Sequence, residues 1–278
     1  MLNWKHPAGF LVVKIVKQNE GDFMIRKKNV LPIVFISVFS LFQLSCDKED
    51  DTGNTDQGTA KIEITDAPID DASVEGTFVT ISDIKLDGVS VEGFNKTTLD
   101  LMAYQNGDTR VLTDAQVDAK FYNNITLVLD YEEDADGNAP GCYILEASGG
   151  AKHKLTSNSN QVILGHDFEV QSEGEANLVC DFDLRKSIKR QDSGSDQYDF
   201  VTQAELNSGV RVVNKSETGM IEGNCEDGTS DSDKIVVFAY TKGSFQSDTE
   251  KQGQGQSNVL FANAVTSAEV DANGDYEL

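Results

Sequence analysis

The sequence predicts an all-β chain: an antiparallel β-sandwich followed by a second, smaller and incomplete β-sandwich. Two observations carry this. Apolar and polar residues alternate with a period of two in short runs rich in β-branched and aromatic residues, and clusters of Gly, Asn, Asp and Ser separate those runs. Helical periodicity is weak throughout, and short strands at regular spacing are the pattern of a sandwich.

The segments that precede the strands are not part of that core. Met24 opens a complete export signal: the basic patch Arg26, Lys27, Lys28, then an apolar run from Val30 to Leu44. At about 15 residues the run falls short of the roughly 20 that span a bilayer. Residues 1–23 are therefore read as an upstream start and residues 24–45 as the signal peptide. The run ends at Leu44-Ser45-Cys46 and turns at once into Asp47-Lys48-Glu49-Asp50-Asp51. This junction resembles the lipobox of Bacteroidota-type lipoproteins, although Gln43 stands where the strict pattern has Leu, Val or Ile. The resemblance implies lipidation at Cys46, an outer-membrane location, and an acidic surface-export signal after the cysteine. The alternative for Cys46 is a structural cysteine behind an ordinary cleaved signal. Residues 46–59 are polar and acidic, the composition of a solvated tether.

From Ala60 the strands begin. Lys61 to Thr65, Thr77 to Leu86, Asn124 to Asp130, Gln161 to Leu164 and Asn177 to Leu184 alternate cleanly. Thr113 to Phe121 is the best helical candidate, with Thr113 or Asp114 as its cap, and Leu184 to Lys189 is a second possible turn. Residues 60–212 form the first domain in this reading. The pattern restarts in residues 216–278, with strands expected at Thr218 to Asn224, Lys234 to Tyr240 and Val259 to Val270, and a polar loop from Gly243 to Ser257. The sequence stops at Asp275 to Leu278 in what reads as a strand, so truncation of this second domain, or completion of its sheet by a partner, is expected.

Charge limits the partners. The chain has 23 Lys+Arg against 47 Asp+Glu; residues 1–46 hold six and two of these, leaving 17 and 45 beyond Cys46, a net of −28. Such a surface repels phosphate backbones, so nucleic acid is disfavoured as a partner. The membrane is reached through the lipid at Cys46, and an unidentified protein or glycan is the expected ligand. Trp4 lies upstream of the anchor, so stacking on a sugar would fall to Tyr or Phe.

Ile64-Thr65-Asp66-Ala67-Pro68, Val79-Thr80-Ile81 with Ile84, Ile125 to Asp130, and Asp181-Phe-Asp-Leu-Arg-Lys186-Ser-Ile188 resemble the DUF4382 domain of bacterial lipoproteins. The likeness spans roughly 60–212 and implies architecture and location, with no established activity. Gly219 to Gly223, Ile235 to Tyr240 and Asp271 to Tyr276 look like a short carboxypeptidase-regulatory-like β-domain, which members of that family often append.

Little in the sequence points to chemistry. His153 and His166 sit in polar surroundings without a zincin or nucleophile-elbow context, and there is no phosphate-binding loop. Cys142 and Cys180 can pair in an exported protein, leaving Cys225 over; the alternative makes Cys180 a small core residue. In the acidic stretch that opens at Asp130, Asp134, Asp136 and Asn138 alternate, with Gly137 allowing a tight turn, which is half of a calcium loop. Counted from Asp134, however, Ala139 and Leu145 stand where that loop needs Gly and a bidentate Glu, and an acidic turn explains the same residues. Calcium is thus the single cofactor considered. The function expected is a non-enzymatic surface module for binding or adhesion. The alternatives are a carboxylate-based hydrolase, which needs two carboxyls roughly 5–10 Å apart, or a fimbria-like subunit that accepts a donor strand.

Overall fold

The computed structural model describes residues 11–12, 56–67, 69, 71, 73–190, 198–225 and 235–278. Strands dominate, as the alternation predicts. The first domain is built from β1 (Gln57–Ala67), β2 (Val74–Leu86), β3 (Thr97–Asp100), β4 (Arg110–Asp118), β5 (Phe121–Leu129), β6 (Tyr143–Glu146), β7 (Lys152–Lys154), β8 (Gln161–Glu169) and β9 (Glu175–Asp183). After β9 come α1 (Leu184–Ser187), the pair β10 (Ile188–Arg190) and β11 (Tyr198–Phe200), α2 (Gln203–Gly209) and β12 (Val210–Asn214). Strand β1 starts at Gln57, so the last three residues of the expected tether are already paired.

Two sheets face each other. One runs β8–β5–β2–β6–β7, with β3 and the short return Val89–Ser90 also on β2; the other runs β12–β9–β1–β4. All pairings but one within these two sheets are antiparallel. The exception is β1 with β9, which are parallel over nine register positions from Thr59↔Glu175 to Ala67↔Asp183. The chain passes repeatedly from one sheet to the other, and that crossing lets two strands over a hundred residues apart run side by side.

Ile62 and Ile64 of β1 share one apolar core with Ile81 and Ile84 of β2, Leu127 of β5, Ile144 of β6, Leu164 of β8 and Phe182 of β9. Strand β1 buries Ala60, Ile62 and Ile64 on its core face, and Glu63 on the other face is also buried, at 1% exposure. That carboxylate is matched by Lys61, Lys215 and the hydroxyl of Thr109. Burial pushes its pKa up, but the hydrogen bonds from Lys215, Thr109 and Lys61 outweigh this and hold it at about 2.

The helix expected from Thr113 to Phe121 does not form. Thr113-Asp-Ala-Gln-Val-Asp alternates apolar with polar, and these residues pair antiparallel with Gln57 to Ile62. Ala119 and Lys120 then carry the chain across to β5 in the opposite sheet. The expected turn at Leu184 is present as α1, capped by Asp183, whose side chain accepts from the Lys186 N–H.

Among the described residues, the C-terminal segment holds two short strand pairs. Strand β14 (Val236–Ala239) pairs with β15 (Thr266–Glu269), and β13 (Glu222–Asn224) with β16 (Asp275–Glu277), both antiparallel. Leu11–Val12 lies parallel to β14. A short helix, α3 (Ser247–Glu250), stands inside the expected loop. Val236, Phe238, Tyr240, Phe261 and Ala264 form a separate core.

Phe182 has no exposed surface, whereas Phe121 is 70% exposed. Phe182→Ala is expected to cost about 3–5 kcal/mol in urea unfolding and Phe121→Ala less than about 0.5 kcal/mol. Similar losses from both would contradict the placement of the core.

Candidate functional site

Parallel pairing brings Thr65-Asp66-Ala67 alongside Asp181-Phe182-Asp183. Three buried carboxyls, on Asp66, Asp181 and Asp183, therefore gather where both strands end and α1 begins. In the sequence these are separate segments, and nothing in their spacing announces that they meet.

Each carboxyl is already committed. Asp66 accepts from Gln105 Nε2 at 3.0 Å and from the Leu184 N–H at 3.4 Å. Burial pushes it well above the usual carboxylate range, and Asp183 and Asp181 add to the rise while Gln105 opposes it. Asp181 is raised by burial as well, against the attraction of Arg211, whose Nη2 donates to Oδ2 at 2.8 Å. Asp183 caps α1 through the Lys186 N–H at 3.3 Å, takes Arg185 Nη2 at 2.8 Å, and faces Lys186 Nζ at 3.3 Å. Arg185 is 5% exposed and stacks 4.9 Å from the Phe238 ring centre. Burial lowers the Lys186 ammonium, with Asp183 pulling the other way.

This arrangement holds charge; it does not present a reacting pair to solvent. Each of the three carboxyls is buried and accepts from at least one protein donor. Among the described residues, no group of three or more His, Cys, Asp or Glu is placed to hold a metal ion. Two surface recesses lie elsewhere. One of about 580 Å³ is lined by acidic Glu222, Asp271, Asp275 and Glu277, and one of about 520 Å³ lies between Phe94 and β4.

Of the residues singled out for calcium, Asp130 and Asp134 are engaged by protein donors. Asp130 pairs with Lys96 Nζ at 2.8 Å and accepts from the Glu132 and Glu133 N–H groups. Asp134 turns back on its own loop, accepting from the Asp136 and Asn138 N–H groups at 2.9 and 2.7 Å, and Asn138 Nδ2 approaches it at 3.3 Å. Asp136 is exposed. Lysine, backbone and Asn138 amide donors thus engage the Asp130 and Asp134 oxygens, and the loop is an Asx-type turn. Gly141 ends it, where a β-carbon would collide with the carbonyl oxygens of Asp130 and Glu133.

Cys142 and Cys180 are likewise not joined; both are free and buried. Cys142 precedes β6 in one sheet and its Sγ is engaged by the Thr80 N–H at 3.4 Å and the Asp130 carbonyl at 3.3 Å. Cys180 lies in β9 of the opposite sheet. Burial pushes both thiols up to about 12. His153 lies 3.4 Å from Glu146 and edge-on to Tyr198. Cys46 lies outside the described residues.

The pH response of Asp66 has a definite sign. A carboxyl raised in the fold stabilises it most below the unfolded value and progressively less as pH rises through the folded value. Asp66→Asn is therefore expected to raise the thermal midpoint at pH 7 by about 2–4 °C, equivalent to about 1 kcal/mol. It should leave the midpoint at pH 3.5 nearly unchanged. A variant less stable than wild type at pH 7 would show that the ionised carboxylate is favoured there.

A family model described as a domain of unknown function, DUF4382, matches residues 57–201, slightly more than half of the chain. No curated protein and no solved structure matches it.

Proposed function

Starting from a chain that belongs to the DUF4382 family, we propose a non-enzymatic surface lipoprotein, held in the outer membrane by lipid on Cys46 and displaying its β-sandwich outward as a binding or adhesion module. The observation that carries this reading is the fate of the gathered carboxyls. Asp66, Asp181 and Asp183 are buried and bonded to Gln105, Arg211, Arg185 and Lys186 rather than facing each other across a cleft. A carboxylate hydrolase needs the opposite, two carboxyls open to substrate.

The topology of the reading comes from the sequence. A signal of the export type runs over residues 24–45, Cys46 follows a small residue, and an acidic run follows the cysteine. Lipid chains contribute roughly 0.8 kcal/mol per buried CH₂, and several chains hold a protein firmly. The net charge of −28 beyond Cys46 favours basic proteins or neutral glycans as ligands. Residues 216–278 fit a short carboxypeptidase-regulatory-like module carried by the sandwich.

Two measurements test this. Cys46→Ser is expected to move the chain from the membrane fraction to the soluble exported fraction, and unchanged fractionation would remove the anchor from the account. Cells lacking the chain are expected to adhere less to immobilised basic protein or neutral glycan. Unaltered adherence, with glycan turnover by the purified chain, would favour the hydrolase.

A further inference from the structure

We propose that the pole formed by α1 and α2 is a docking site that reads the main chain of residues 256–264 and so couples the family domain to the C-terminal module. The contacts have a consistent chemistry. Arg185 Nη1 donates to the carbonyls of Leu260 at 2.6 Å and Phe261 at 2.8 Å, and Lys186 Nζ donates to that of Ala264 at 2.5 Å. Glu205 Oε1 accepts from the N–H groups of Gln256 at 2.7 Å and Ser257 at 3.1 Å, while its Oε2 accepts from Ser257 Oγ at 2.6 Å. Cations meet carbonyl oxygens and a carboxylate meets N–H groups, which are the stronger class of hydrogen bond. The Ser257 hydroxyl is the one docked side chain in this set; the other five partners are backbone atoms.

Each side is also braced by bonds of its own. Asp183 fixes Arg185 and Lys186, and the Thr202 N–H and hydroxyl hold Glu205 in a capping box at the start of α2. On the docked side, the buried Glu250 carboxylate takes Tyr240 Oη at 2.9 Å and Asn263 Nδ2 at 2.6 Å, and the Gln254 and Val259 backbones bond to each other. Gly255 has φ +70°, and a β-carbon there would strike Glu205 Oε1. Val259 packs on the larger core, yet the two apolar cores remain separate. The join is mainly polar, with Val259 on the larger core and Arg185 on the Phe238 ring as its apolar contacts. The segment Asp181 to Lys186 and its neighbour Asp66 thereby serve as the foundation of an interdomain clasp.

Calorimetry on the full chain tests this. Wild type is expected to unfold in one transition. Glu205→Ala, Arg185→Lys, which keeps the charge but loses the fork, and Gly255→Asn, which tolerates positive φ, are each expected to release a smaller transition about 5 °C or more below the main one. In the Glu205→Ala background, Gly255→Asn is expected to add nothing further, because both remove the same contact. Should Glu205→Ala unfold the whole chain, Gly255→Asn decides the matter, since it lies outside the family domain. A single transition retained in Gly255→Asn, or additive effects in the double variant, would overturn the proposal.

Discussion

The parallel pairing of β1 with β9 is the constraint on which the remaining structure depends. It is the single parallel contact in two otherwise antiparallel facing sheets. It puts β1 at the centre of its sheet, buries Ile62 and Ile64 on one face, and obliges the fold to satisfy Glu63 on the other. It also decides that Asp66, Asp181 and Asp183 share one end. Helix α1 starts from that end, and α1 carries the two cations that grip the C-terminal segment. A different partner for β9 would scatter all of these groups.

The chain carries a large negative charge, and the fold deals with its buried and half-buried acids in two ways. Glu63 and Glu205 are given so many donors that their carboxyls fall to about 2, despite the opposing effect of burial. Their contribution to stability is present above the unfolded glutamate value and fades as pH falls through the folded one. Asp66 goes the other way, because burial raises it, its donors are neutral and two acids stand near it. Acid therefore weakens the supports at Glu63 and Glu205 while relieving the strain at Asp66. The interdomain clasp, which uses Glu205, belongs to the group lost at low pH.

Much of the sandwich was legible in the sequence, and the reasons are local. Period-two alternation in Lys61 to Thr65 and Asn124 to Asp130 reports one residue at a time which side faces the core. Thr113 to Phe121 misled because Thr and Asp resemble a helix cap, although alternation in the same residues marks a strand. The segments Ile64 to Pro68 and Asp181 to Ile188 stood out in the sequence, but their meeting did not. Strand partnership across more than a hundred residues is a property of topology, and no local pattern encodes it. The partners of the acidic loop were hidden as well: Asp130 and Asp134 find Lys96 and backbone donors, which spacing alone does not reveal. The docking of residues 256–264 was hidden too, since its partners are mostly backbone atoms and carry no sequence signature beyond Gly255.

Native-state hydrogen exchange along β1 and β9 tests the central claim most directly. If their pairing underlies the fold, the amides of Ile62, Ile64, Cys180 and Phe182 exchange only through global unfolding, with the full denaturant dependence of that transition. Exchange of these amides through a smaller opening, while β2 and β5 stay protected, would contradict the account.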